Sequence, residues 1–106
     1  MIAVIFEVEP RAGCAQQYFD TAAELRASVE RMEGFVSIER FESISRPGSY
    51  LSLSYWRDED SVRRWREHAA HRAAQELGRA QLFSKYRIRV ATVTRDYGRE
   101  KEDSEK

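Results

Sequence analysis

The hydrophobic pattern of this chain switches period twice, from two to about 3.6 and back again. Ile2, Val4, Phe6 and Val8 point one way while Ala3, Ile5 and Glu7 point the other, so residues 2–8 read as a strand. Pro10 and Gly13 end it. Tyr18, Ala22, Leu25, Val29 and Met32 then recur at steps of four, three, four and three, which is one face of a helix. Gly34 is its expected stop. Residues 35–44 return to strand character, with Val36 and Ile38 expected on one face and Phe35 and Phe41 on the other. Arg46-Pro47-Gly48-Ser49 is a turn, and residues 50–56 form the second arm of a hairpin. Asp58 offers an N-cap to a second helix. Val62, Trp65, Ala69, Ala73 and Leu77 share that helix's face, and Gly78 ends or bends it. The stretch from Ala80 to Phe83 is ambiguous. Tyr86, Ile88, Val90 and Thr92 mark a last strand reaching about Arg95.

The order β-α-β-β-α-β predicts an α+β, ferredoxin-like fold of two right-handed split βαβ halves. Two helices shield only one face of a four-stranded antiparallel sheet. The bare face, carrying Phe35 and Phe41 or Val36 and Ile38, calls for a partner. A homodimer packing sheet to sheet into a barrel is therefore expected, rather than a monomer with a partly polar sheet face.

With 106 residues the chain is one domain, expected over residues 1–97, with a charged, disordered tail at 98–106. Lys+Arg and Asp+Glu both number 18, so the net charge is zero and the long-range field of a nucleic-acid binder is missing. Cys14 is the one cysteine, which fits a reducing cytoplasm. No apolar run approaches the roughly 18 residues of a bilayer span, so no membrane partner is expected. The N-terminus has no basic n-region and reads as a strand, not a signal peptide.

Potential chemistry gathers in Trp65-Arg66-Glu67-His68-Ala69-Ala70-His71, which holds both histidines. Three residues apart on a helix, they share one surface. Their spacing and the lack of a third ligand argue against a metal site. A histidine with a pKa near 6.5 moves protons at neutral pH. His68, between Glu67 and Ala69, reads first as a solvated imidazole, while His71 is the stronger proton-transfer candidate. Trp65 belongs to the apolar stripe and is also a flat wall for an aromatic ligand. Trp56, ending its strand, is expected at the domain edge or the dimer seam. Tyr18, Tyr50, Tyr55 and Phe83 are further ligand-contact candidates for which core or interface packing competes. Arg63, Arg64, Arg66 and Arg72 form a basic outer helix face, and Cys14, without a partner base, carries no chemistry.

The chain resembles the antibiotic biosynthesis monooxygenase family, a branch of the dimeric α+β barrels. The likeness rests on three segments besides the element order. They are the Leu51-Ser52-Leu53-Ser54-Tyr55-Trp56 strand before an acidic helix start, the Trp65-x-x-His68-x-x-His71 helix, and the close at Tyr86–Ala91 and Arg95-Asp96-Tyr97-Gly98. It covers about residues 1–98. The resemblance implies a pocket beside the histidine helix and oxidation of a small aromatic or quinol-like substrate by dioxygen with no bound cofactor. His71 would then be the catalytic proton-transfer group, with Trp65, His68, Tyr18, Tyr55 and Phe83 contacting substrate. A related branch binds and degrades haem with a tryptophan, a histidine and a first-strand asparagine. This chain has no asparagine and reads Ile5-Phe6-Glu7 there. A third alternative is a non-catalytic dimeric module for a small hydrophobic ligand.

Overall fold

The computed structural model describes residues 1–99, so all of the expected tail beyond Arg99 lies outside the described residues. Four strands, β1 (Ile2–Pro10), β2 (Phe35–Glu42), β3 (Tyr50–Trp56) and β4 (Phe83–Thr92), form one antiparallel sheet in the order β2-β3-β1-β4. The expected fold is the one observed. Helix α1 (Ala15–Glu30) joins β1 to β2. The connection from β3 to β4 is α2 (Glu59–Glu67), α3 (Ala69–Leu77) and a π-helical segment over Gly78–Leu82. Among the described residues, no helix is long and apolar enough to cross a membrane.

The register assigns every strand residue to a face, because directly opposed residues share one. Ile2, Val4, Phe6 and Val8 stand opposite Trp56, Ser54, Ser52 and Tyr50 on one side and Thr92, Val90, Ile88 and Tyr86 on the other. These rows face the helices. Ile5, Leu51, Leu53 and Tyr55 lie on the opposite, helix-free face, with Arg89 paired to Glu7.

The structure corrects the sequence reading at several points. A register shift between Phe35 and Ser37 places two residues of β2 against one of β3, as in a β-bulge. Phe35 opposes Trp56 and Ile38 opposes Ser54, so Phe35 and Ile38 share the helix face and Phe41 lies outside. Neither expected pairing of these side chains survives. Trp56 is no edge residue. It is 1% exposed, and with Ile2 and Val29 it makes the core, against which Phe35, Val62 and Trp65 pack. Its indole N–H donates to Ser54 Oγ at 2.9 Å, so the ring is buried with its polar atom satisfied.

The second helix is also not continuous. His68 adopts ψ 137°, an extended conformation, and the helix stops and restarts there. The His68 Nδ1 atom accepts from the Ala70 N–H at 3.1 Å, capping α3 in place of a continued helical bond. The break turns the inward face of α3 from Ala69 and Ala73, both exposed, to His71, Ala74 and Gln75. The π-helical segment resolves the ambiguous stretch, and β4 starts three residues earlier than its alternating pattern suggests.

The Asp58 N-cap read from sequence holds, whereas α1 ends at Glu30 with Arg31 as its C-cap, ahead of the expected stop at Gly34. Asp58 accepts from Ser61 N–H at 2.8 Å and from Ser61 Oγ at 2.7 Å. With the Arg57 guanidinium also on its carboxylate, these bonds hold the Asp58 pKa down at about 2. Gly34 has φ +87°, and a Cβ there would stand 1.8 Å from Ser61 Oγ. This glycine therefore lets the α1–β2 corner seat on the start of α2. Gly34→Ala is expected to lower unfolding free energy by about 2 kcal/mol in urea denaturation, since strain and overlap act together.

Candidate functional site

Between the helical layer and the sheet lies a cavity of about 480 Å³, within the range of small-molecule sites. Its floor is Val4 and Phe6 of β1, Ser52 and Ser54 of β3, and Ile38 of β2. Its roof is Ala22 and Leu25 of α1 with His71, Ala74 and Gln75 of α3. The gap follows from side-chain size. Serines below and alanines above are too short to meet, while large rings fill both ends.

At one end Trp56 and Trp65 close the space, and the His71 ring stands edge-on to Trp65 with centroids 5.1 Å apart. At the other, Phe83 packs against Phe6 at 5.7 Å, Tyr18 at 5.6 Å and Tyr86 at 5.9 Å. Gly78 makes that cluster possible: a Cβ there would lie 2.2 Å from the Phe83 ring. Along β4 the cavity opens. Tyr86, Ile88 and Val90 border it yet remain 39%, 42% and 46% exposed, because the helical layer does not reach over this edge strand.

The structure brings His71, Trp65, Tyr18 and Phe83 together around the cavity. It does not bring His68 or Tyr55. His68 is exposed, and its Nδ1 is engaged in capping α3 while its ring lies 5.5 Å from Trp65. Tyr55 opposes Ala3 and points to the helix-free face, one residue out of phase with Ser54 and Trp56. The helix break is why two histidines three apart do not share one surface. Sequence reasoning missed Arg40, which shares the phase of Ile38 on β2 and borders the cavity. The alternation Ile38, Arg40 was a usable signal. It also missed Phe6, although Phe6 alternates with Val4 on the inward face of β1.

His71 is the group with unusual chemistry. Its Nδ1 is buried with no hydrogen-bond partner among the described residues. Burial drives its pKa below 6.5. The Arg66 carbonyl opposes that shift, and the positive charge of Arg66 adds to it, with a smaller contribution from the neighbouring His68 ring. The ring is thus a neutral imidazole at pH 7 with a free nitrogen inside the protein. Tyr18 is 5% exposed, and its pKa is raised by burial against the opposing influence of Arg40, so its hydroxyl stays protonated. Among the described residues, no three His, Cys, Asp or Glu side chains cluster as metal ligands do. In an NMR titration the His71 ring protons should move with a midpoint below 6.5; a midpoint at or above 6.5 contradicts the assignment. The unfolded chain takes up this proton near 6.5 and the folded one only at lower pH. Stability from this group is therefore complete above 6.5 and falls as pH drops toward the folded value.

Comparison with known proteins agrees with this geometry. The family profile described as antibiotic biosynthesis monooxygenase matches residues 1–77. The chain is 46% identical over 94 residues to a Pyricularia oryzae protein named jasmonate monooxygenase ABM. The match covers 89% of this chain and 44% of that protein, so the chain spans less than half the relative's length. It is 33% identical over 78 residues to the uncharacterized protein YqjZ of Bacillus subtilis, covering 74% of this chain and 67% of that one. Two solved structures share its fold. Rv0793 from Mycobacterium tuberculosis superposes with TM-score 0.82 at 14% identity, over 92% of this chain and 98% of its own. SnoaB from Streptomyces nogalater, a cofactor-independent oxygenase, gives 0.78 at 18% identity, over 90% and 94%. At such identities the likeness is one of fold. The profile match and the 46% identical relative go further: the chain belongs to the antibiotic biosynthesis monooxygenase family.

Proposed function

We propose that this protein is a monooxygenase that uses dioxygen without a bound cofactor on a small cyclic, aromatic or quinol-like substrate. The observation that carries this reading is the half-buried imidazole of His71, its pKa lowered by burial, at the wall of a mainly apolar cavity. Family membership and the printed activity of the Pyricularia oryzae relative support it.

The chemistry asks little of the protein. His71 takes a proton from an acidic C–H of a substrate methylene, leaving an electron-rich carbanion or enolate. That anion reduces dioxygen. One oxygen atom stays on the carbon as a carbonyl, and the other leaves as water with both hydrogens of the methylene. All four electrons come from the substrate carbon. The walls supply orientation and exclude water from the anion. Trp65 holds the His71 ring in place and offers a flat surface beside it. Where a haem-degrading relative has an asparagine on its first strand, this chain presents the Phe6 ring to the cavity. The residues present do not fit the haem alternative.

His71→Ala should lower kcat by at least about 100-fold, measured as oxygen uptake, with KM little changed. Activity should rise with pH as His71 loses its proton. Unchanged turnover in the variant removes His71 from the mechanism.

The same reading includes a homodimer. The helix-free face presents Ile5, Leu51, Leu53 and Tyr55 in adjacent cross-strand positions, with Phe41 43% exposed at its margin. A contiguous apolar surface of this kind marks an interaction site. Leu53 lies between Ile5 and Glu39 in the middle of it. Light scattering should report twice 12.4 kDa for the wild type and about 12.4 kDa for Leu53→Glu. A monomeric wild type would refute this assembly.

A further inference from the structure

We infer that the substrate carries a negative charge, and that Arg40, Ser52 and Tyr18 form the subsite that holds it. This rests on the cavity being the substrate site, as proposed above.

Charge around the cavity is one-sided in a chain whose net charge is zero. Four arginines border it, Arg26, Arg40, Arg66 and Arg79. Arg26 is paired with Glu30, whereas Arg40, Arg66 and Arg79 have no acidic partner among the described residues. The one acidic residue at the border, Glu39, opposes Leu53 and points to the other face of the sheet. Glu42 shares the Arg40 face but accepts from the Gly48 N–H in the hairpin turn.

Arg40 is the arginine whose position is built. Its guanidinium lies 5.4 Å from the Tyr18 ring centroid and 5.8 Å from that of Phe19. Stacking on two rings fixes the plane of the group, one of its N–H groups is drawn to the Tyr18 hydroxyl oxygen, and the remaining N–H groups can meet a carboxylate. Ser52 stands directly across from Arg40 on the same face, and the protonated Tyr18 hydroxyl adds a donor. The cross-strand row continues from Ser52 to Phe6 and Ile88, an apolar bed for the rest of a ligand. Trp56 is four residues along β3 from Ser52, so the Arg40 row and the Trp56–Trp65 end near His71 are about 13 Å apart. A ligand with an acidic group at one end and the reacting carbon about 10 Å away spans the two. The chemical class is a ring-bearing carboxylic acid long enough to reach both ends of the cavity.

Titration of tryptophan fluorescence tests this, because Trp56 and Trp65 both border the cavity. The probes are jasmonic acid and its methyl ester, which share one carbon skeleton and differ in the charge of the carboxyl group and the added methyl. The wild type should bind the acid about tenfold tighter than the ester. Arg40→Gln should abolish that preference by weakening the acid about tenfold relative to the ester, and Arg40→Lys should restore part of it. Equal binding of acid and ester by the wild type overturns the inference, as does an Arg40→Gln variant that keeps the preference. Absence of binding by either probe overturns it too. Oxygen uptake is scored separately, so binding without turnover counts against the oxygenase reading while leaving the anion subsite standing.

Discussion

The structure depends on the helical layer being propped off the sheet at both ends. Trp56, Ile2 and Val29 join the layers at one end, with Trp65 packed against them. Phe83, Phe6 and Tyr18 join them at the other. Between these pillars, Ser52 and Ser54 face Ala22 and Ala74. Protein interiors close gaps wherever side chains can reach one another, so a cavity of this size needs short residues in the middle and rigid ones at the rim. The aromatic rings thus set both stability and the space for a ligand. Gly78 belongs to the same device, since a side chain there would push Phe83 out of its pillar.

The break at His68 divides the chemistry of the helical layer. His68 turns outward and spends a ring nitrogen on capping α3. His71, three residues past the break, borders the cavity and loses part of its solvation. A continuous helix would have kept the two rings on one surface and left His71 nearer its ordinary pKa. The backbone irregularity therefore gives one imidazole a capping role and turns the other toward the cavity. The arginines complete the environment by setting positive charge around a mainly apolar space, which favours an anion over a neutral guest.

Much of this was legible along the chain. Alternation in residues 2–8 and 50–56, the four-three stripe of α1, Gly34, and the Asp58 cap all act locally, and local physics reads directly from sequence. The prediction that His71, Trp65, Tyr18 and Phe83 gather drew on family resemblance, and the fold brings them together. Three features were not legible. The bulge near Val36 is fixed by pairing with β3, which no local pattern encodes. The stop at His68 comes without proline or glycine, and the apolar spacing runs straight through it. Tyr55 was misjudged because ring chemistry was weighed above phase: Leu51, Leu53 and Tyr55 alternate away from Ser52, Ser54 and Trp56. Arg40 shows the converse, since its alternation with Ile38 was readable yet no motif or apolar stripe draws attention to it.

The central claim is that the space between the pillars is where the chemistry occurs. Filling it is the most direct test. Ala74 borders the cavity from α3, and Ala74→Phe puts a ring into the gap while leaving His71, Arg40 and the residues of both pillars unsubstituted. Oxygen uptake and thermal unfolding should be measured together on this variant. The account predicts a folded protein that melts no lower than wild type and consumes no substrate. Full turnover with the gap plugged would contradict it.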